Sequence, residues 1–185
     1  MPQQKLTLTD IVKIAIIGPE STGKSTLVQL LATHFNAPFV PEFARTYLKK
    51  KHPPNYDFAD LEAIARGQIS AMAEAEKRAE KRVFFDTDLI TLHIWALDKF
   101  GKPIPFVEAN LKKLKANFYL VCKPDIPWQP DPLREDATRR DLLFEWNMHV
   151  LEGLDANSAV ISGMGDARLK SAITAVSKFL KEREG

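Results

Sequence analysis

One cysteine, Cys122, stands in 185 residues. A lone thiol closes no internal disulfide and builds no thiolate metal cluster, so a reducing, cytoplasmic setting is expected. Long apolar runs are also missing. Stretches such as Ile14-Ala15-Ile16-Ile17 fall far short of the ~20 residues that a membrane-spanning helix needs. Residues 1–10 carry no apolar block of signal-peptide length, and no membrane association is expected. Charge of one sign is scarce as well: 26 basic residues oppose 24 acidic ones, a net +2. That balance lacks the strongly basic footprint of a general nucleic-acid binder, though it leaves room for a small basic site. His34, His52, His93 and His149 show no metal-ligand spacing. Repeats, low-complexity tracts and interdomain linkers are absent, so residues 1–185 read as one domain. What is present is 45% hydrophobic and 27% charged, the mix of a globular domain rather than a disordered chain.

Strand and helix patterns alternate. A β-branched run over 13–17 leads through a glycine-containing loop into a helical pattern over 25–35, with Leu27, Leu30, Leu31 and Phe35 on one face. A short strand is predicted over 38–40. Asp57 suits the N-cap of a long helix to about 81, with Asp60 in its first turn. Val83-Phe84-Phe85 reads as a buried strand ending in Asp86-Thr87-Asp88. Helices to about 100 and from Pro105 to about 115 follow, then a strand over 118–121. Four of the twelve prolines fall between Lys123 and Asp136; together with the residues up to 140 this segment reads as an ordered surface loop of the kind that serves as a lid. A helix over 138–151, a strand at 160–161 and a helix over 166–181 complete the pattern. Five strands interleaved with helices predict an α/β fold, a parallel sheet covered on both faces.

The strongest motif is Gly18-Pro19-Glu20-Ser21-Thr22-Gly23-Lys24-Ser25, which fits G-x-x-x-x-G-K-[ST] between a strand and a helix. Random sequence of this length matches with a probability on the order of 1%. Glycine lets the backbone wrap a phosphate with its N–H groups inward, and the helix N-terminus adds partial positive charge. In such a loop Lys24 reaches the β- and γ-phosphates, and the Ser25 hydroxyl is a magnesium ligand. Residues from Gly18 to Thr26 are therefore the candidate triphosphate grip, with ATP and Mg2+ as the implied cofactors.

Acidic residues at strand ends supply the second group of candidates. Asp86 ends an apolar strand, where a carboxylate that positions magnesium belongs. Asp88 would point the same way if the chain is extended, or else caps the next helix. Glu42 follows the second strand and can accept the proton of an attacking hydroxyl; Arg45, one helical turn on, can pair with it. In the lid segment, Arg134, Arg139 and Arg140 can meet charge on a transferring phosphoryl group, Arg134 lying nearest the loop. Trp128 either stacks on a flat ligand ring or anchors the loop. Ser162-Gly163-Met164-Gly165 follows the last strand, and by its similarity to the loop that often lines the adenine pocket in P-loop proteins it is expected to do the same.

The segments IAIIGPESTGKSTLVQLLATHFN, PEFARTYL, FFDTDLIT and PWQPDPLRE together resemble the ribosylnicotinamide kinase domain of bacterial NAD-biosynthesis proteins, part of a wider group of P-loop ATPases. The resemblance spans nearly the whole chain. It implies a P-loop NTPase fold like that of nucleoside and nucleotide kinases, and transfer of the γ-phosphoryl of ATP to the 5′-hydroxyl of nicotinamide riboside. Glu42, Arg45, Asp86, Asp88, Trp128, Asp131 and Arg134 occupy the matching motif positions. The family is expected to sandwich the nicotinamide ring between two aromatics at positions that here are Pro41 and Ala71; Phe43, Tyr47, Tyr56, Phe58 and Trp95 are the candidates to replace them. Two other functions fit the same motifs: a kinase for another vitamin or nucleoside, such as thiamine, and a nucleotide-binding switch acting through a protein partner.

Overall fold

The computed structural model describes residues 11–51, 55–131, 134, 135 and 137–184. The expectations placed on residues 1–10, His52, Asp136 and the centre of the lid at 132 and 133 lie outside these. In chain order the elements are β1 (Val12–Ile17), α1 (Lys24–His34), β2 (Phe39–Val40), α2 (Phe43–Leu48), α3 (Phe58–Arg78), β3 (Arg82–Asp86), α4 (Leu89–Phe100), α5 (Pro105–Leu111), β4 (Phe118–Cys122), α6 (Arg140–Gly153), β5 (Ser158–Ile161) and α7 (Gly165–Glu184).

The strands form one sheet in the order β2-β3-β1-β4-β5, and every pairing is parallel. From the central β1 the chain goes to one side for β2 and β3, then crosses to the other for β4 and β5. That reversal opens a crevice at the carboxyl ends of the strands, where open α/β sheets place their ligands. The register sets Ile16 beside Asp86, which brings the end of β3 level with the loop that leaves β1.

Covering helices on both faces explain why the central strands read as unbroken apolar runs. Alternate residues serve opposite cores. Ile14, Ile16, Phe84 and Leu120 pack with α1 and α7. Ala15, Ile17, Val83, Phe85 and Val121 pack with Met72 of α3 and Leu143 of α6. A third cluster stands off the sheet, where α2, α3, α4 and α5 meet through Leu48, Ile64, Leu92 and Val107. Among the described residues no helix is long and apolar enough to cross a membrane.

The boundaries differ from expectation where pairing or exposure intervenes. The long helix stops at Arg78 because the Lys81 carbonyl accepts from the Val12 N–H, so the chain is already in the sheet. α5 ends at Leu111, ahead of Lys112 and Lys113. β5 starts two residues early, hidden in the sequence because three of its four residues are not buried. The short helix α2 was not separately anticipated; Glu42 is its N-cap.

Candidate active site

The loop after β1 is shaped by close approach and by left-handed backbone. Gly18 lies at φ +131°, and a Cβ there would sit 2.7 Å from the Cys122 carbonyl oxygen, so only glycine lets the loop turn off the sheet at that seam. Gly23, at φ +78°, is the N-cap of α1 and offers no side-chain cap, leaving the first backbone N–H groups available to an anion. The Thr22 hydroxyl donates to the Pro19 carbonyl at 2.8 Å. Lys24 curls back over the loop, its Nζ donating to the carbonyls of Gly18 at 2.9 Å and Pro19 at 2.6 Å. Every residue from Gly18 to Thr26 lines a cavity of about 760 Å3.

Glu42, Asp86 and Ser25 converge beside this loop. Asp86 is buried, with the Ser25 side chain and the Glu42 backbone N–H as hydrogen-bonding neighbours. Its Oδ1 has no partner. Two hard oxygen donors with an unsatisfied carboxylate oxygen fit a magnesium ion, which typically takes one or two protein oxygens and completes its shell with phosphates and water. Among the described residues no group of three or more His, Cys, Asp or Glu side chains forms a metal cluster. Glu42 lines the cavity, and its carboxyl is pushed above the usual range by burial and by the Asp86 carboxylate. Asp86 is raised as well, chiefly by burial. Arg45 ties this corner together: its Nε lies 3.3 Å from Glu42 and its Nη1 donates to Asp131 at 3.2 Å. Arg45 and Asp131, motif residues 86 positions apart in sequence, thus meet directly.

Asp88 does not join them. Thr87 sits at φ +67°, which breaks the extended alternation that would have pointed both aspartates the same way. Asp88 instead caps α4, accepting from the Ile90 N–H at 2.9 Å and from the Tyr119 hydroxyl at 2.8 Å. It is buried, and desolvation raises its carboxyl to about 6.

Described residues of the lid segment, among them Ile126, Pro127 and Gln129, line the cavity. Arg134 lines the cavity, donating to the Gln129 carbonyl and, at 3.4 Å, to the Ser21 hydroxyl. The Gln129 N–H donates to Ser21 Oγ and the Glu135 N–H to Glu20, each at 2.9 Å, so two side chains of the phosphate loop hold the lid. Arg139, expected on the nucleotide, grips Asp98 of α4 through both Nη atoms at 2.7 and 2.9 Å. Trp128 does not line the cavity; the Arg140 guanidinium lies 5.8 Å from its ring centroid, in keeping with an anchoring role. Gly163 likewise does not line it, although its neighbours Met164 and Gly165 do.

Away from the phosphate loop, the cavity is walled by Leu48, Tyr56, Ile94 and Trp95. Trp95 Nε1 donates to the Tyr56 hydroxyl at 2.9 Å, with the rings 5.2 Å apart and edge-on. The other aromatic candidates face elsewhere. Tyr47, a candidate substrate residue, packs in the third core cluster and gives its hydroxyl to Asp60 at 2.8 Å. Phe43 and Phe58 pack there too. Pro41 is exposed, and Ala71 packs against the sheet.

Sequence reasoning missed the residues that hold this arrangement. Gln68 is buried on α3, its Oε1 accepting from the Phe43 N–H at 2.8 Å and its Nε2 reaching the Thr87 carbonyl at 3.5 Å. It therefore ties the start of α2 to the turn after β3. Beside it, a Cβ on Gly67 would meet the Phe43 ring at 2.2 Å. Arg168, on the first turn of α7, also lines the cavity. None of the three falls in a recognisable motif; their only signal is a polar or minimal residue at a buried or half-buried helical position.

Comparison with known proteins agrees with this architecture. Residues 13–168 match the AAA domain family. The chain is 33% identical over 175 residues to the trifunctional NAD biosynthesis/regulator protein NadR of Salmonella typhimurium, covering 93% of this chain and 42% of that protein; it thus spans less than half the length of that relative. A NadR protein solved in complex with NR superposes with a TM-score of 0.79 at 26% identity, covering 92% of this chain and 50% of that one. A NadR protein solved with NAD and AMP-PNP gives 0.76 at the same identity and coverage. Deoxyadenosine kinase from M. mycoides, at 11% identity and a TM-score of 0.65 over 90% of this chain and all of its own, shares the fold. With a glycine-shaped phosphate loop at the carboxyl edge of a five-stranded parallel sheet, and the family match covering most of its length, the chain belongs to the AAA domain family of P-loop proteins.

Proposed function

We propose that this chain is a kinase that transfers the γ-phosphoryl group of ATP to the 5′-hydroxyl of nicotinamide riboside. The observation that carries the reading is the position of Glu42. Its carboxylate faces the same cavity as Lys24 and the phosphate loop, next to Asp86 and opposite an aromatic-walled chamber. The NadR relatives, one solved with NR and one with AMP-PNP, support both ligands.

In this mechanism the loop amides and Lys24 hold the β- and γ-phosphates. Ser25 and Asp86 would hold magnesium, which would supply positive charge to offset that of the phosphates. Glu42 accepts the proton of the acceptor hydroxyl as its oxygen bonds to the γ-phosphorus, while the bond to the ADP oxygen breaks. A carboxylate raised by burial is the stronger base once ionised. Arg45, fixed by Asp131, orients Glu42. Arg134 meets the charge on the phosphoryl oxygens, and the lid excludes water. Tyr56 and Trp95 offer the faces and edges that a flat cationic ring needs.

The test is a mass-spectrometric assay of the protein with ATP and magnesium against nicotinamide riboside, thiamine and the common nucleosides. A phosphorylated nicotinamide riboside that disappears with Lys24→Ala supports the proposal. Phosphorylation of a different acceptor overturns the substrate. ATP consumption without any phosphorylated acceptor replaces the kinase by a nucleotide switch.

A further inference from the structure

Arg168 is buried, yet nothing in the proposed chemistry uses it. Its guanidinium reaches three separate stretches of chain. Nε donates to the Gly163 carbonyl at 2.7 Å, in the loop after β5. Nη1 donates to the Thr22 carbonyl at 3.1 Å, in the phosphate loop. Nη2 donates to the Lys123 carbonyl at 3.1 Å and pairs with Asp125, at the root of the lid. Asp125 closes the circuit, because its Oδ2 accepts from the Gly163 N–H at 2.7 Å. Gly163 is therefore held by both its N–H and its C=O, at φ +88°.

From this geometry we infer that Arg168 and Asp125 are a positioning pair for the nucleotide. Two consequences follow from the peptide plane and from the fork. In a trans peptide the C=O and the next N–H point in opposite directions. Anchoring the Thr22 carbonyl on Arg168 thus turns the Gly23 N–H away from α7, and Gly23 lines the cavity. Fixing the peptide units on either side of Gly163 sets the adjoining Met164 and Gly165, which line the cavity. Lysine cannot reproduce this, since an ammonium lacks the planar fork that serves three carbonyls and a carboxylate together. The pair separates into two arms: Arg168 acts on the phosphate loop directly through Thr22, whereas Asp125 acts directly on the Gly163 loop and reaches the phosphate loop only through Arg168.

The inference rests on reading the phosphate loop as an ATP site and is independent of the acceptor. Calorimetric titration of the full chain with magnesium–ATP and with inorganic tripolyphosphate tests it without any phosphoryl transfer. Asp125→Ala should weaken ATP about tenfold and tripolyphosphate distinctly less, with Asp125→Asn intermediate for ATP. Arg168→Lys should weaken both ligands. Asp125 is partly exposed, so its variants remain foldable if Arg168→Lys does not. Unchanged ATP affinity in Asp125→Ala overturns the inference. So does an equal loss of both ligands in that variant, because a merely structural role would not alter their ratio. Failure of nicotinamide riboside phosphorylation, with this ratio shifted as expected, would overturn the acceptor and leave the pair in place.

Discussion

The two ends of the cavity are built by different means. At the phosphate end, eight contiguous residues do most of the work, and they do it with backbone: glycines at φ +131° and +78°, and a helix N-terminus without a side-chain cap. At the acceptor end, the wall is side chains drawn from α2, α4 and the segment before α3, with Tyr56 and Trp95 joined across 39 positions. Glu42 and Arg45 stand at the border and are steadied from both directions, by Asp86 on the sheet and by Asp131 in the lid. A backbone site tolerates little variation and advertises itself. A side-chain site can be rebuilt residue by residue while the first stays intact.

That contrast can be broken most forcefully at the phosphate end. Lys24→Ala removes the ammonium that curls back over the loop, and is expected to lower kcat/KM at least a thousandfold, on the order seen when phosphoryl-transfer charge stabilisation is lost; initial rates by mass spectrometry check it. Glu42→Gln should cost roughly a hundredfold or more in kcat while ATP affinity by calorimetry stays within a few-fold. Its pH profile sharpens the point. As the proposed base Glu42 acts ionised, and its carboxyl is raised by burial and by Asp86, so kcat/KM of the wild type should fall on the acid side at a pH above the ordinary value of 4.5. The limb belongs to the Glu42–Asp86 pair rather than to either group alone.

Asp88 provides the contrasting carboxylate, one without a place at the cavity. Its folded value of about 6 lies above the ordinary 3.8, so the native state favours the proton. The stability this contributes is fully present below about pH 4 and is lost as pH rises through 6. Asp88→Asn keeps the cap and removes that slope. Between pH 4 and 7 the wild type should lose roughly 3 kcal/mol relative to the variant, measurable by urea denaturation at each pH, and the acid limb of activity should stay where it was. A smaller effect is expected at Gly67→Ala, where the new methyl must push the Phe43 ring aside: about 1–3 kcal/mol lost, with a fall in kcat because Glu42 adjoins Phe43. Gly153→Ala, in α6 with open space around it, should instead gain a few tenths of a kcal/mol. Thermal melts of the two variants side by side separate crowding from helix propensity.

How much of this was legible depended on how local the determinants were. The phosphate loop, the alternation that put helices on both faces of the sheet, and the Asp57–Asp60 capping box are all written within short windows. Of the two readings of Asp88 it is the cap that holds, and the extended one fails on one dihedral, because a threonine at φ +67° is not what a β-branched residue suggests. The charge on Arg139 was visible but its partner, Asp98, lies 41 positions away. Tyr47 looked available until its hydroxyl was found on Asp60. Arg168 and Gln68 were invisible for the opposite reason: each is an isolated polar residue whose meaning lies entirely in the backbone groups of other elements.

The seam between Gly18 and Cys122 also equips the protein with an intrinsic reporter. Cys122 is fully buried, and burial pushes its thiol above the usual range. Being the chain's single cysteine, it meets an alkylating reagent when the loop lifts from β4 or the sheet opens around it. The rate of alkylation under native conditions then clocks the opening of the phosphate-binding edge. Nucleotide should slow that clock in proportion to how tightly it seals the seam, with no engineered label and no knowledge of the acceptor.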